Sequence, residues 1–225
     1  NSILVVGAPD AYPYRSPSEA PLTTSSRHDG ESPFVYLAKR HQGQYVVAGI
    51  YRDFSISSSW ITKHRRIEIE TFIHDGATGS VVARKRFIAE AKGSVALLNK
   101  PPIGSDAFYE TDFGKPWGNL LDQIAAWVEH NTACLPFMAR ILQIKDGIIY
   151  LDAGSESGLS EGDTLNLVQW KSPEVRSISG ENIGQEKTIS GSVKIRSVSG
   201  QFSIAECQMQ GGCPRISPGD ILSTQ

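Results

Sequence analysis

The chain has 225 residues, of which 40% are hydrophobic and 20% charged, with a formal net charge of −2. That length suits one large domain or two ordinary ones, and that balance is the balance of a globular chain rather than a disordered one. A basic excess for tracking phosphate backbones is missing, which argues against nucleic acid as a partner, and no apolar run approaches the ~20 residues of a membrane span.

The chain opens on Asn1 rather than Met, which reads as a cut piece of a longer chain or a processed protein, with any signal peptide removed from view. Ile3 to Ala8, "ILVVGA", is a continuous apolar run rich in β-branched residues and predicts a buried strand. Residues 9 to 32 are rich in Pro, Ser, Thr and Asp and predict a long loop. Ser32-Pro33 then predicts an N-cap with proline in the first helical position, and Gly43 the end of that helix. A strand follows from Gln44.

"RRIEIETFIHDGATGSVVARKRF" is the clearest element. Ile67, Ile69, Thr71 and Ile73 alternate with Glu68, Glu70, Phe72 and His74, and a loop from Asp75 to Gly79 interrupts the run. This predicts a β-hairpin with Glu70 opposite Arg84, Glu68 opposite Arg86, Ile67 opposite Phe87 and Ile73 opposite Val81. Leu98 to Lys115 has no periodicity and predicts a loop longer than the ~12–15 residues usual in a compact domain. Phe108, Tyr109 and Phe113 crowd its second half. Such aromatics either pin the loop to its own domain or anchor a partner, and these three are the candidate partner-binding residues. Pro116 opens a second helix, with Trp117, Leu120, Leu121, Ile124, Trp127 and Val128 at helical spacing.

After Pro136 the pattern becomes short strands without helix, with Asp146-Gly147 as a hairpin signal and a polar interruption from Gln169 to Lys187. "LSEGDTL" (residues 159–165) recurs as "ISPGDIL" (residues 216–222). Gly162 and Gly219 supply the positive φ of a tight turn, and Asp163 and Asp220 bond their own backbone. Turn chemistry thus accounts for every repeated position, whereas catalysis would account only for the aspartates. "DAGSESGLSEGD" departs from a calcium loop at Gly154 and Ser157. No phosphate loop, nucleophile elbow or dinucleotide fingerprint follows a strand, so no catalytic residue, metal ligand or cofactor is assigned.

The cysteines are Cys134, Cys207 and Cys213, too few for a disulfide scaffold or a structural zinc site. His130 and Cys134 lie four apart at a helix end but lack two further ligands, and a packed, buried thiol is the simpler account. Cys207 and Cys213 flank a probable turn, within reach of a disulfide in an oxidising compartment; two free thiols at a loop is the other reading.

The hairpin, then "GSDAFYETDFGKPWGNLLDQIAAWVEH", then "CLPFMARILQIKDGIIYLDAGSESGLSEGDTLNLV" resemble, in that order, the flagellar assembly protein T family, from about Gln44 to Val168. The resemblance implies an α/β middle domain like the N-terminal domain of TolB over residues 1–135, followed by a small all-β, SH3-like barrel over residues 136–225. It implies a non-enzymatic component of the periplasmic H-ring of the flagellar basal body, which supports the outer rings and the stator-holding ring. Its partners would be basal-body ring proteins and neighbouring copies of itself, with no direct membrane insertion. The isolated fragment could be monomeric, because ring contacts can depend on the scaffold. The family's further N-terminal domain is expected to precede this chain. Two alternatives stand beside this reading: a TolB-like envelope adaptor that binds a partner protein or lipoprotein without forming a ring, and an enzyme or nucleotide binder built on the α/β part.

Overall fold

The computed structural model describes residues 5–7, 32–58, 63–93, 101–178, 180, 182–208 and 215–224. Of the predicted strand Ile3 to Ala8 only residues 5–7 fall within these. They form no strand, and Val5 and Val6 are 81% and 56% exposed. The predicted loop 9 to 32 lies outside the described residues except for Ser32.

Ser32 caps helix α1 (Pro33–His41). Its hydroxyl accepts from the Phe34 N–H at 3.3 Å, and Pro33 stands in the first turn, where its missing N–H leaves no bond unmade. The left-handed residue that ends the helix is Gln42 (φ 53°) rather than Gly43, whose N–H instead closes the cap on the Ala38 carbonyl at 2.9 Å. Strands β1 (Tyr45–Ser58), β2 (Lys63–Asp75) and β3 (Val81–Lys92) form an antiparallel sheet in that order. Every strand pair among the described residues is antiparallel, and they are mostly β, so the expected α/β part is a meander with helices laid on it.

The hairpin forms in a different register from the predicted one. Glu70 faces Arg86, Glu68 faces Ile88, Ile69 faces Phe87, and Phe72 faces Arg84. Two constraints conflict, and a bulge reconciles them. The Asp75 carboxylate ties the loop, accepting from the Ala77 and Thr78 N–H groups at 2.8 Å each, and the Asp75 N–H bonds the Ser80 carbonyl at 2.9 Å. Continued without a break, that start would set Phe87 opposite Glu68 and turn it to the charged face. Val82 is left unpaired between His74↔Val81 and Ile73↔Ala83, and this one extra residue returns Phe87 to the side of Ile67 and Ile69. An extra residue in β1, Arg52, likewise keeps Phe54 on the face of Ile67 after Tyr51 on the face of Ile69.

Helix α2 (Asp106–Tyr109) and helix α3 (Gly114–Thr132) follow. The long predicted loop is thus partly helical, and α3 begins before Pro116. Ile67, Ile69, Phe87 and Leu120 make a buried cluster with Trp117, Ile124 and Trp127 against it, so α3 covers one face of the sheet. Leu121 points away and is exposed. On the opposite face Phe34 of α1 stacks on His74, whose neighbours along that face are Phe72 and Ile50. Farther along the same face Arg66 reaches Asp53, Glu68 and Glu90, tying the three strands together through charges of which Glu68 is buried and Glu90 exposed.

Strands β4 (Met138–Lys145), β5 (Ile148–Leu151), β6 (Thr164–Arg176), β7 (Asn182–Val198), β8 (Ser203–Cys207) and β9 (Ile221–Ser223) close into a barrel of order β4-β5-β8-β7-β6-β9. It fits an SH3-like or OB-like β fold. Ile141, Ile149, Leu151, Leu165, Leu167, Ile195 and Leu222 fill it. Asp146 (φ 53°) and Gly147 (φ 79°) make the expected tight turn between β4 and β5. The polar stretch Gln169 to Lys187 is not an interruption: β6 and β7 continue through it as a paired ribbon.

Candidate functional site

The described residues bring together surfaces rather than reacting groups. Among them no cluster of three or more His, Cys, Asp or Glu is placed to hold a metal ion. His130 and Cys134 are both exposed, and Cys134 lies beyond the end of α3 as a free thiol, not the buried one expected. Cys207 is disulfide-bonded, and Cys213 lies outside the described residues.

The repeated turns share one pattern of bonds. The Asp163 carboxylate accepts from the Ser160 N–H and the Asp220 carboxylate from the Ser217 N–H, both at 2.8 Å. Gly162 (φ 93°) donates to the Ile195 carbonyl and Gly219 (φ 96°) to the Ile141 carbonyl, at 2.9 and 2.7 Å. Ile195 and Ile141 donate back to the carbonyls of Asp163 and Asp220. Each turn thus fastens the start of β6 or β9 to a neighbouring strand, with its carboxylate occupied.

The three loop aromatics form one group. Phe108 is buried, and Tyr109 and Phe113 are half-buried. Phe108 meets Tyr109 and Phe113 edge-on, at centroid distances of 5.3 and 5.9 Å. A Cβ on Gly114 would collide with the Phe108 carbonyl, so glycine is what lets α2 fold back on α3. Phe108 is therefore committed to its own domain, and of the three expected partner residues only Tyr109 and Phe113 keep accessible surface.

The group closes one side of an apolar groove of about 250 Å³ between the far end of β1–β2 and the segment around α2. Phe54 and Ile56 of β1, Ile67 of β2, Ile103, Phe108 and Phe113 supply the apolar walls. The Arg65 guanidinium lies 5.0 Å over the Phe113 ring, and its Nε, although buried, has no hydrogen-bond partner. Sequence reading found the aromatic side of this groove but not the β1 side. The available signal was Tyr51, Phe54 and Ile56, apolar residues on an edge strand with nothing assigned to cover them.

The barrel joins the sheet at the other end of β1. Tyr45 donates from its hydroxyl to the Pro136 carbonyl at 3.1 Å, Met138 N–H donates to the Gln44 side chain at 3.1 Å, and Arg140 donates to the Gly76 carbonyl at 2.8 Å. Burial, with Asp75 nearby, holds the Tyr45 phenol well above its ordinary pKa, so it stays protonated and keeps donating. Burial also pushes the Asp152 carboxyl up, against the Arg140 N–H and charge that favour its ionised form.

No helix among the described residues is long and apolar enough to cross a membrane. Comparison with known families gives first the class that the chain is similar to: flagellar assembly proteins. The particular match is to flagellar assembly protein T, middle domain, over residues 2–99 of the 225. The match begins before Gln44, where the quoted resemblance starts, and ends before α2 and the barrel. No curated protein matches the chain. Among solved structures, the hypothetical protein CT253 from Chlamydia trachomatis is 16% identical with a TM-score of 0.38, over 45% of this chain. The chain spans 62% of that protein's length, and a likeness of this size carries no argument.

Proposed function

We propose that the protein is a structural component of the H-ring of the flagellar basal body, working in the periplasm and supporting assembly of the outer rings and of the stator-holding ring. The observation that carries this reading is the match of residues 2–99 to the middle domain of flagellar assembly protein T. The ring proteins of the basal body and neighbouring copies of the chain are its partners. In this reading the chain divides at Pro136 into a TolB-like part, residues 1–135, and an SH3-like barrel, residues 136–225.

A bridge between Cys207 and Cys213 belongs to the same reading, since a periplasmic location lets a structural disulfide persist. The bonded state of Cys207 and the free state of Cys134 support it. Intact mass of unreduced, periplasmically expressed protein after alkylation should show one modified thiol; three modified thiols would overturn the bridge.

For the function itself, the test is a deletion strain with fractionation of the complemented cells. Motility should be lost in the deletion, and the restored protein should co-purify with basal bodies. A motile deletion strain, or a protein found only free in the periplasm and bound to a single partner, would favour the adaptor without a ring.

A further inference from the structure

We propose that the β6–β7 ribbon of one copy seats in the β1–α2 groove of the next, so that copies join head to tail. The proposal deepens the ring reading; only the closure of this contact into a ring rests on it.

The ribbon is an arm. In the barrel β6 is held on its outer side by β9 only as far as Val168, and β7 is held by β8 and the Gln208 N–H just after it only from Ser192 onward. Between those limits the paired strands continue through Trp170↔Lys187, Lys171↔Glu186 and Val175↔Gly184, and among the described residues no third strand pairs with them. A lone two-stranded ribbon is marginal in water and gains its stability from something that covers it. The arm also leaves aliphatic side chains in water among its polar ones: Val175, Ile183 and Ile189 are exposed, and Ile178 stands fully in solvent at 110%.

The groove is the matching surface on the same chain. Its walls are apolar, Ile103 on its rim is 81% exposed, and Phe54 and Ile56 lie open along the edge strand β1. No described residue of the arm lines it. The two surfaces also belong to different sides of the molecule. The groove lies at the end of β1 remote from Tyr45, where the barrel attaches, a run of ten residues or roughly 30 Å. The barrel strand β7 meets the sheet at β3, the edge away from β1. A surface that complements a different surface of an identical copy makes a heterologous contact, the kind that builds rings or filaments rather than two-fold dimers.

Charge agrees with this seating. Arg65 at the groove has an Nε without a hydrogen-bond partner, and Glu174 precedes Val175 on the arm. With Val175 and Ile178 against Ile56 and Ile103, the Glu174 carboxylate would come to Arg65, and Arg176, its partner within the arm, would turn to solvent.

Cysteine pairing of the full chain tests the contact. In a Cys134→Ser background, Ile178→Cys and Ile103→Cys are made separately; both side chains are exposed, so neither change disturbs the core. Under mild oxidation each variant alone should stay monomeric, an equimolar mixture should give a crosslinked dimer, and a chain carrying both should give a ladder. A mixture that crosslinks no better than Ile178→Cys with the off-site Ile148→Cys would overturn the proposal, as would Ile178→Cys crosslinking to itself. In cells, Ile178→Asp should remove the ring at unchanged protein level. A ring retained in that strain overturns this contact and leaves the ring reading standing. Crosslinks formed in a protein whose cells build no such ring would support the contact and remove the ring reading.

Discussion

His74 shows how a titratable side chain can be held for packing alone. Its ring is 1% exposed, lies parallel to Phe34 at 3.5 Å, and donates from Nδ1 to the Gly79 carbonyl at 3.1 Å. Burial, opposed by that hydrogen bond, pulls its pKa down from 6.5 to about 4. Between those values the unfolded chain binds a proton that the folded chain refuses. Its neutral form therefore contributes stability at pH above about 6.5, which is lost as pH falls towards about 4, to the extent of about 3 kcal/mol. Denaturant midpoints measured across that window should fall steeply for the protein. For His74→Phe they should start lower at neutral pH, because the Gly79 carbonyl loses its donor, yet stay flatter. An unchanged slope in His74→Phe would show that other groups carry the acid sensitivity. At this scale the sequence was most legible where chemistry is local. The carboxylates of Asp75, Asp163 and Asp220 bond backbone N–H groups within three positions, so reading four letters is enough. The burial of Phe108 and the exposure of Cys134 depend on distant chain and could not be read that way.

At the scale of elements, α3 and the two strands of the hairpin followed from periodicity, while their pairing did not. Ile67, Ile69 and Ile73, with Thr71 between the last two, fix which face of β2 meets α3. They do not fix whether β3 must carry an extra residue to meet it, because bulges have no local sequence mark. The same holds for Gln169 to Lys187, whose polar letters hid two long strands: without a third strand to pack on, an arm has no alternation to display. The bulge makes a sharp prediction. Val82 is exposed, so Val82→Ala should change stability by less than about 0.5 kcal/mol. Deleting Val82 should instead force Phe87 to the charged face or strain the Asp75 turn. Either outcome costs on the order of the 3–5 kcal/mol that losing a buried phenylalanine costs. Comparison of the two variants by urea unfolding decides it; a deletion as mild as the alanine change would mean that the register is free to slip.

The whole molecule is where the sequence was least legible. Length and the change of pattern after Pro136 marked two kinds of structure. The hydrogen bonds that join them, from Tyr45, Gln44 and Arg140, come from residues without any motif. The groove draws on β1, β2 and the α2 segment, and the arm that we seat in it draws on β6 and β7, so neither exists until the chain has folded. Family comparison supplies what physics leaves out: a likeness to a flagellar assembly domain over residues 2–99. A ring component and a lone adaptor would share this fold and differ in what the cell builds around them. Electron cryotomography of basal bodies in cells lacking the protein, beside the same cells complemented with it, separates the two most directly. Our account predicts that the ring density surrounding the rod is lost in the deletion and returns on complementation. An intact ring in the deletion strain would contradict it.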